Sequence, residues 1–442
     1  MAVELLSISY IFIIITLVLI LYNYRTGIAA SLLVITNFGE FVYLNPNLEI
    51  GDFGGVGTIY FMDLFDIAMI VVIILKADQL RLLNYRTAIF TLLILCVIAS
   101  IIPFLISSFS IKDLISVMRP LGNFLFLPYF VITITDIKSF NFMEKVVIIL
   151  VVLFTVVQCY EYVLQKRIPF RLFERNSLFF GEDPYSVEFG GIKTGYIWSR
   201  VAYILPLSLF FGCYYYFKER RNFGLLLIGF YILAIMIALS RIWIIGFGFF
   251  LLCITVFLLF EREGRSFVRI KLFSLIGSFA VLAIILLYSS ETFAKIFDIF
   301  LLRINSINDL ADKTDSSFLG REYILIQMLN VWYEYPVFGA GFSGISRKLI
   351  TNDLGFPNLI TIFGASGLVM LFLFLKQYFI DIKPFIRNNY ILFVSLFSVM
   401  LMITLMSVFS IDLFYYNATG PILLAMGNII LNIGKQETGA NA

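Results

Sequence analysis

The groups in this chain that could do chemistry are mostly arginines at the edges of apolar runs. Arg119-Pro120, Trp198-Ser199-Arg200 and Ser240-Arg241 each stand beside such a run, and Arg303, Arg321, Arg347 and Lys348 follow in one long polar segment. A guanidinium presents a rigid fork of donors that matches phosphate oxygens two at a time, and an ammonium serves phosphate as a point charge. Any one of these side chains alone is equally a snorkelling residue at lipid headgroup level. Arg241 differs, because its connection is short and apolar residues surround it. An ionisable group in such a place is a functional hypothesis by default.

Acids form a second set. Glu322 follows Arg321 at the start of a helical pattern, where it suits either a general base or simple compensation of the helix dipole. Glu40, Glu161, Asp63 and Asp66 lie in or at the ends of apolar runs, with Asp63 placed to cap a helix. The chain contains no histidine, so histidine bases, histidine metal sites and histidine proton relays are excluded. No phosphate-binding glycine loop, HExxH or Asp-x-Asp pair appears. An enzyme built from these parts works without a bound nucleotide or cofactor and without a metal. Cys96, Cys159, Cys213 and Cys253 sit inside apolar runs and read as small hydrophobic residues.

The elements that position these groups are helices in a bilayer. The chain has 442 residues, 61% of them hydrophobic and only 14% charged, with mean hydropathy +0.97; a soluble domain carries roughly 25% charged residues. Apolar runs of about 18–22 residues recur from end to end, each long enough to span as a helix. They lie near 5–22, 27–45, 59–75, 88–107, 120–136, 145–164, 200–217, 222–239, 241–260, 271–288, 358–375, 390–411 and 413–433. The expected fold is therefore an all-α polytopic membrane protein, a single transmembrane domain over 1–442 with about 12–14 spanning helices. Glu4 precedes the first run in place of a basic segment, which favours a retained span over a cleaved leader.

Short basic connections at Lys76, Arg81 and Arg86, at Lys218, Arg220 and Arg221, at Arg262, Arg265, Arg269 and Lys271, and at Lys376, Lys383 and Arg387 point to the cytoplasm. The long segments 165–199 and 289–357 then face outward, and 434–442 is a polar tail. Within the second segment, Glu322–Tyr335 predicts a helix whose Arg321, Leu325, Met328, Trp332 and Tyr335 share a face. Pro336 stops it, and Gly339 and Gly341 allow tight turns. An amphipathic lid helix at the outer surface fits this pattern.

Gly320-Arg321-Glu322, then Trp332, Pro336, Gly339-x-Gly341, Pro357-Asn358 and Gly364-x-x-Gly367, taken in order, resemble the signature of the O-antigen polymerase/ligase superfamily. Ser240-Arg241 between two helices and Arg200 after the earlier loop are similar to that family too. The resemblance covers about 195–375 and implies a glycosyltransferase at the outer face of the cytoplasmic membrane, acting on undecaprenyl-diphosphate-linked glycans. Together with the residue chemistry above, this points to catalysis by Arg241, Arg321 and Glu322, and to substrate binding by Arg200, Arg119, Arg347, Lys348, Trp332, Tyr335 and Asn358. Its expected partners are the lipid-linked donor and acceptor, the bilayer and a chain-length regulator, with no nucleic acid. By the same resemblance, ligases carry a histidine just before the asparagine that ends the large loop. Pro357 stands there in this chain, which favours a Wzy-type polymerase making O-antigen or another surface polysaccharide. A lipid-linked oligosaccharide flippase fits the length, but internal repeats and uniformly short loops are absent. A peptidoglycan polymerase of the shape-and-division type has related chemistry without specific support in the residues.

Overall fold

The computed structural model describes residues 11, 14–22, 24–35, 49–52, 58–164, 188–189, 192–193, 204–217, 222–238, 241–259, 277, 316–350, 354–409 and 413–437. The chain is an all-α polytopic membrane protein. Among the described residues, six helical stretches are long and apolar enough to cross a bilayer: Arg86–Leu105, Ile111–Thr133, Ile137–Val157, Ile242–Leu259, Ala365–Asn388 and Tyr390–Val408. Two short antiparallel hairpins accompany them, Glu49–Asp52 (β1) with Thr58–Tyr60 (β2), and Glu188–Phe189 (β3) with Ile192–Lys193 (β4). The segments 165–199 and 271–288 lie outside the described residues apart from β3, β4 and position 277, as does 434–442 beyond residue 437. The cysteines lie in helices, Cys213 and Cys253 buried and Cys96 and Cys159 half-buried, all as free thiols.

The chain divides into two compact units. The first comprises 1–144, 317–384 and 404–442, and the second 145–316 and 385–403. In the first unit, α1 (Tyr24–Ile35) and α2 (Phe61–Leu75) are followed by α3 (Arg86–Leu105), α4 (Ile111–Met118) and α5 (Phe126–Thr133). A 3₁₀ segment, Arg119–Leu125, joins α4 to α5. The sequence pattern suggested that Arg119-Pro120 opens a span at 120; instead it interrupts one that starts at Ile111. Pro120 brings no N–H and Gly122 is a weak helix former, so the backbone tightens there without ending.

Two further differences have the same kind of cause. Asp63 is not the cap itself: α2 starts at Phe61, and Asp63 in its first turn reaches back to accept the Tyr60 N–H at 2.8 Å. The apolar run 358–375 is two helices rather than one, broken at Gly364. A helix also begins at Ile137 (α6, Ile137–Leu164), where Asp136 is a true cap. Its carboxylate accepts the Ser139 N–H at 2.8 Å and the Ser139 hydroxyl at 3.0 Å. Burial pushes the Asp136 carboxyl upward, but the bonds from Ser139 and the Lys138 N–H outweigh it and hold the group below its ordinary range. Its stabilisation is therefore complete above the ordinary carboxylate range and fades as pH falls through the lowered value. Asp136→Ala should cost about 1 kcal/mol in thermal unfolding at neutral pH, with the difference from wild type shrinking in acid.

The second unit contains most of α6, then α7 (Leu205–Phe217), α8 (Phe223–Ala238) and α9 (Arg241–Leu259). α7 and α8 form a tight pair: a Cβ on Gly224 would fall 2.4 Å from the Gly212 carbonyl oxygen. The later helices are α10 (Ser316–Glu334), α11 (Gly344–Leu349), α12 (Gly355–Phe363), α13 (Ala365–Ile382), α14 (Tyr390–Phe409) and α15 (Thr419–Glu437). In the second unit, the Tyr390 hydroxyl at the start of α14 donates to the Phe257 carbonyl of α9 at 2.9 Å. In the first unit, α15 packs on α5 and α13, and α13 packs on α3.

The loop from Pro336 to Phe342 ties three helices of the first unit together. Pro103 inside α3 has no N–H, so the Ala99 carbonyl one turn earlier loses its helical donor. The Phe342 N–H takes that place at 2.9 Å. At the end of α12, the Thr361 and Ile362 carbonyls accept from Ala340 and Gly341 at 2.9 and 3.0 Å. At the start of α13, the Ala365 and Ser366 N–H groups donate to the Pro336 and Val337 carbonyls at 2.8 and 3.1 Å. Helix ends in lipid need such partners, because no water is there to supply them. The glycines make the geometry possible: Gly339, Gly341 and Gly364 all take positive φ, 65°, 65° and 60°.

Candidate functional site

α10 brings the segment with Arg321 and Glu322 onto the first unit. It runs Ser316–Glu334, slightly earlier than the expected 322–335, and stops before Pro336 as its missing N–H requires. Its buried face is Ile324, Met328, Val331 and then Tyr335 just beyond its end, packed against Ala340, Ile345, Leu349 and Leu354. Met328 and Tyr335 were expected on a shared face; Val331 replaces Trp332 there. The Trp332 indole N–H instead donates to the Pro336 carbonyl at 3.1 Å. The opposite side is apolar and exposed, with Tyr323 65%, Ile326 51% and Tyr333 90% exposed. Glu322 is half-buried, while the Arg321 side chain lies outside the described residues.

α11 carries Arg347 and Lys348 in its last turn and starts at Ser343, whose hydroxyl accepts the Ser346 N–H at 3.3 Å. It lies on α4, where Arg347 forms an ion pair with Asp113 at 2.6 Å. Arg347 remains 42% exposed and Asp113 17%. Lys348 and Lys112 are exposed on the same two helices. Lys112 and Asp113 escaped the sequence reading because Ile111–Met118 looked like a connection. Its signal was the alternation of IKDLISVM, apolar on one face and charged on the other.

Arg119, at the far end of α4, stands in a different arrangement. Its Nε donates to Asp63 Oδ1 at 2.7 Å, and one terminal nitrogen donates to Asp63 Oδ2 at 3.1 Å and to the Thr58 carbonyl at 2.8 Å. The guanidinium also lies over the Tyr60 ring, 4.4 Å from its centroid. One turn further along α2, Asp66 presses against Gly122, where a Cβ would fall 2.1 Å from its carboxylate. Asn123 then holds the next turn by donating to the Pro120 and Tyr415 carbonyls, both at 2.9 Å. The Tyr415 hydroxyl donates in turn to the Val117 carbonyl.

The remaining residues fall elsewhere. Asn358 is fully buried in the first turn of α12. Arg241 is the first residue of α9 in the second unit, and its side chain lies outside the described residues. Arg200 and Arg303 lie outside them altogether, as does Glu40; Glu161 belongs to α6 without a described side chain. Within the first unit the fold thus brings Arg347 and Lys348 together on α11, with Glu322 and Trp332 on α10 before them. Among the described residues, no three His, Cys, Asp or Glu side chains gather as metal ligands do.

Residues 225–361 match the family model described as O-antigen ligase. Over that stretch the chain is similar to the O-antigen ligase family. The matched stretch opens in α8, contains α9, α10 and α11, and ends at Thr361, whose carbonyl anchors the Pro336–Phe342 loop. It therefore contains Arg241, Arg321, Glu322, Arg347, Lys348 and Asn358, while Arg119 and Arg200 precede it. No curated protein matches the chain.

Proposed function

We propose that the protein is a glycosyltransferase that polymerises undecaprenyl-diphosphate-linked oligosaccharide repeats into O-antigen or another surface polysaccharide. The reaction takes place at the outer face of the cytoplasmic membrane. The observation that carries this reading is the basic last turn of α11, clamped to α4 by Asp113 and preceded by α10, all inside or against the matched family region. A lipid diphosphate is already a good leaving group. The enzyme must supply fixed positive charge where negative charge grows, and must hold the acceptor hydroxyl in line. Arginines supply that charge without a metal. Arg241 and Arg321 act on the departing diphosphate, with Glu322 as the base for the acceptor hydroxyl. Arg347, Lys348, Arg119 and Arg200 hold the anionic donor, and Trp332, Tyr335 and Asn358 the glycan. α10 serves as a lid.

The same family includes ligases, and the absence of histidine speaks for the polymerase branch. Purified protein in liposomes with lipid-linked repeat units should lengthen them without nucleotide. Transfer to a lipid A acceptor without lengthening would mean a ligase, and no glycan transfer would end the enzymatic reading.

The α11 cations give a separate expectation. Arg347→Ala with Lys348→Ala should raise KM for the lipid-linked donor about tenfold and leave kcat within a factor of about three, because groups that bind substrate and transition state alike act on KM. A kcat loss at unchanged KM would place these residues on the reacting bond instead.

A further inference from the structure

Residues 20–22, helical just before α1, line a cleft of about 330 Å³ together with the last turn of α2 and the end of α5. All of these segments belong to the first unit. Ile20, Leu21, Val72 and Leu75 form the apolar wall, and Tyr22, Lys76 and Thr133 supply the polar groups. The Thr133 hydroxyl is already donated to the Tyr129 carbonyl at 2.6 Å, so Lys76 is the one charged group on the lining. Leu21 and Leu75 are exposed where the cleft opens, and the same helices expose Val18, Ile67 and Ile74 beyond it. In a chain that spans a bilayer, an opening framed by exposed aliphatic side chains faces acyl chains, not water.

The charge at this end selects the headgroup. α2 is apolar from Ile67 to Leu75, and at Lys76 the chain turns polar into the 3₁₀ segment Ala77–Leu82. That change marks the level of the lipid headgroups, where Tyr22 also stands exposed. In the described residues of 20–27, 76–82 and 133–138 the cations are Arg25, Lys76, Arg81 and Lys138. The acids there are Asp78 and Asp136, which accept from Gln79 and Ser139 at 2.8 Å each, and the local balance stays positive. We propose that the cleft binds one anionic phospholipid, with an acyl chain against Ile20, Leu21, Val72 and Leu75 and its phosphate on Lys76. A basic pocket between membrane helices is a recurring way to hold such a headgroup. A zwitterionic lipid fills the apolar wall as well but carries its own cation toward Lys76. The positive-inside rule puts this end in the cytoplasmic leaflet, so the site is independent of the glycan chemistry proposed above.

The test titrates the full chain in detergent with phosphatidylglycerol, or with phosphatidylcholine of the same acyl chains, and counts bound lipids by native mass spectrometry. Wild type should retain one phosphatidylglycerol with at least about fivefold preference over phosphatidylcholine, the contribution expected of one basic residue at an anionic headgroup. Lys76→Gln, a change at a half-exposed position, should remove that preference. Leu21→Trp fills the cleft from its exposed side and should lower retention of both lipids. Arg86→Gln is the control, because it lies in the same basic connection but not on the lining. Equal loss of preference in Arg86→Gln would mean a diffuse charge effect and overturn the site. Preference kept in Lys76→Gln would overturn the assignment of the phosphate. Inorganic phosphate should not compete, since it leaves the apolar wall empty; competition would make this an anion site and not a lipid site.

Discussion

Arg321→Ala and Arg241→Ala should each lower polymer formation by about 100- to 1000-fold, with the protein still inserted and folded. The magnitude follows from the step at stake. In the proposed reaction, negative charge moves onto the diphosphate oxygens as their bond to the sugar breaks, and a donor aimed there stabilises the transition state more than the ground state. Arg321 lies in the second turn of α10 directly before Glu322, and Arg241 opens α9. Arg241 stands at the N-terminus of its helix, where the dipole adds positive potential for an anion. Arg321→Lys should recover only part of the activity, because an ammonium keeps the charge and loses the fork. The readout is polymer length in a strain lacking the native protein, together with liposome kinetics. Normal chain length in both alanine variants would remove these residues from the site. Glu322→Gln discriminates further: loss of kcat at unchanged KM supports a base, and full activity removes Glu322 from the chemistry.

The apolar runs announced the spans, since a bilayer demands lengths that composition alone reveals. What composition hid was where a span changes its geometry. Arg119-Pro120 carries the marks of a helix start, yet the helix passes through it as a 3₁₀ segment, because α4 before it is amphipathic and continues the same path. Gly364 sits in an unbroken apolar run, and only its positive φ shows that α12 ends there. In the site, the types of the cations could be read and their partners could not. Arg347 meets Asp113 across 234 positions of sequence, and Arg119 meets Asp63 across 56; long-range pairing leaves no local signal. The glycines of the 336–342 segment were read as permitting a turn. Their further role, bringing backbone to backbone so that one loop serves three helices, depends on Pro103 more than two hundred positions earlier.

That dependence makes Gly341→Ala a strongly damaging small substitution. A side chain at φ +65° costs about 1–2 kcal/mol before any contact is counted. The added Cβ would lie 2.5 Å from the Ala99 carbonyl oxygen and 2.9 Å from Ile102 Cβ. Both neighbours belong to the body of α3, so neither can swing aside as the tip of a flexible side chain could. Relief requires the loop to withdraw, which breaks the bond from Phe342 N–H to Ala99 and returns the Pro103-orphaned carbonyl to an apolar setting without a donor. Leaving a buried carbonyl unmet adds about 1–3 kcal/mol, so the total is roughly 3 kcal/mol or more, enough to deplete the folded protein in the membrane. Gly229→Ala is the control, because nothing lies within 4 Å of a Cβ there and α8 should gain slightly from the change. The measurement is the folded fraction extracted from membranes and its melting temperature. Equal behaviour of the two variants would mean that the Pro336–Phe342 loop does not bear on α3 as described. A second substitution separates strain from the lost bond: Pro103→Ala returns an N–H within α3 to the Ala99 carbonyl. In the Gly341→Ala background it should recover part of the stability, while the cost of the left-handed alanine stays.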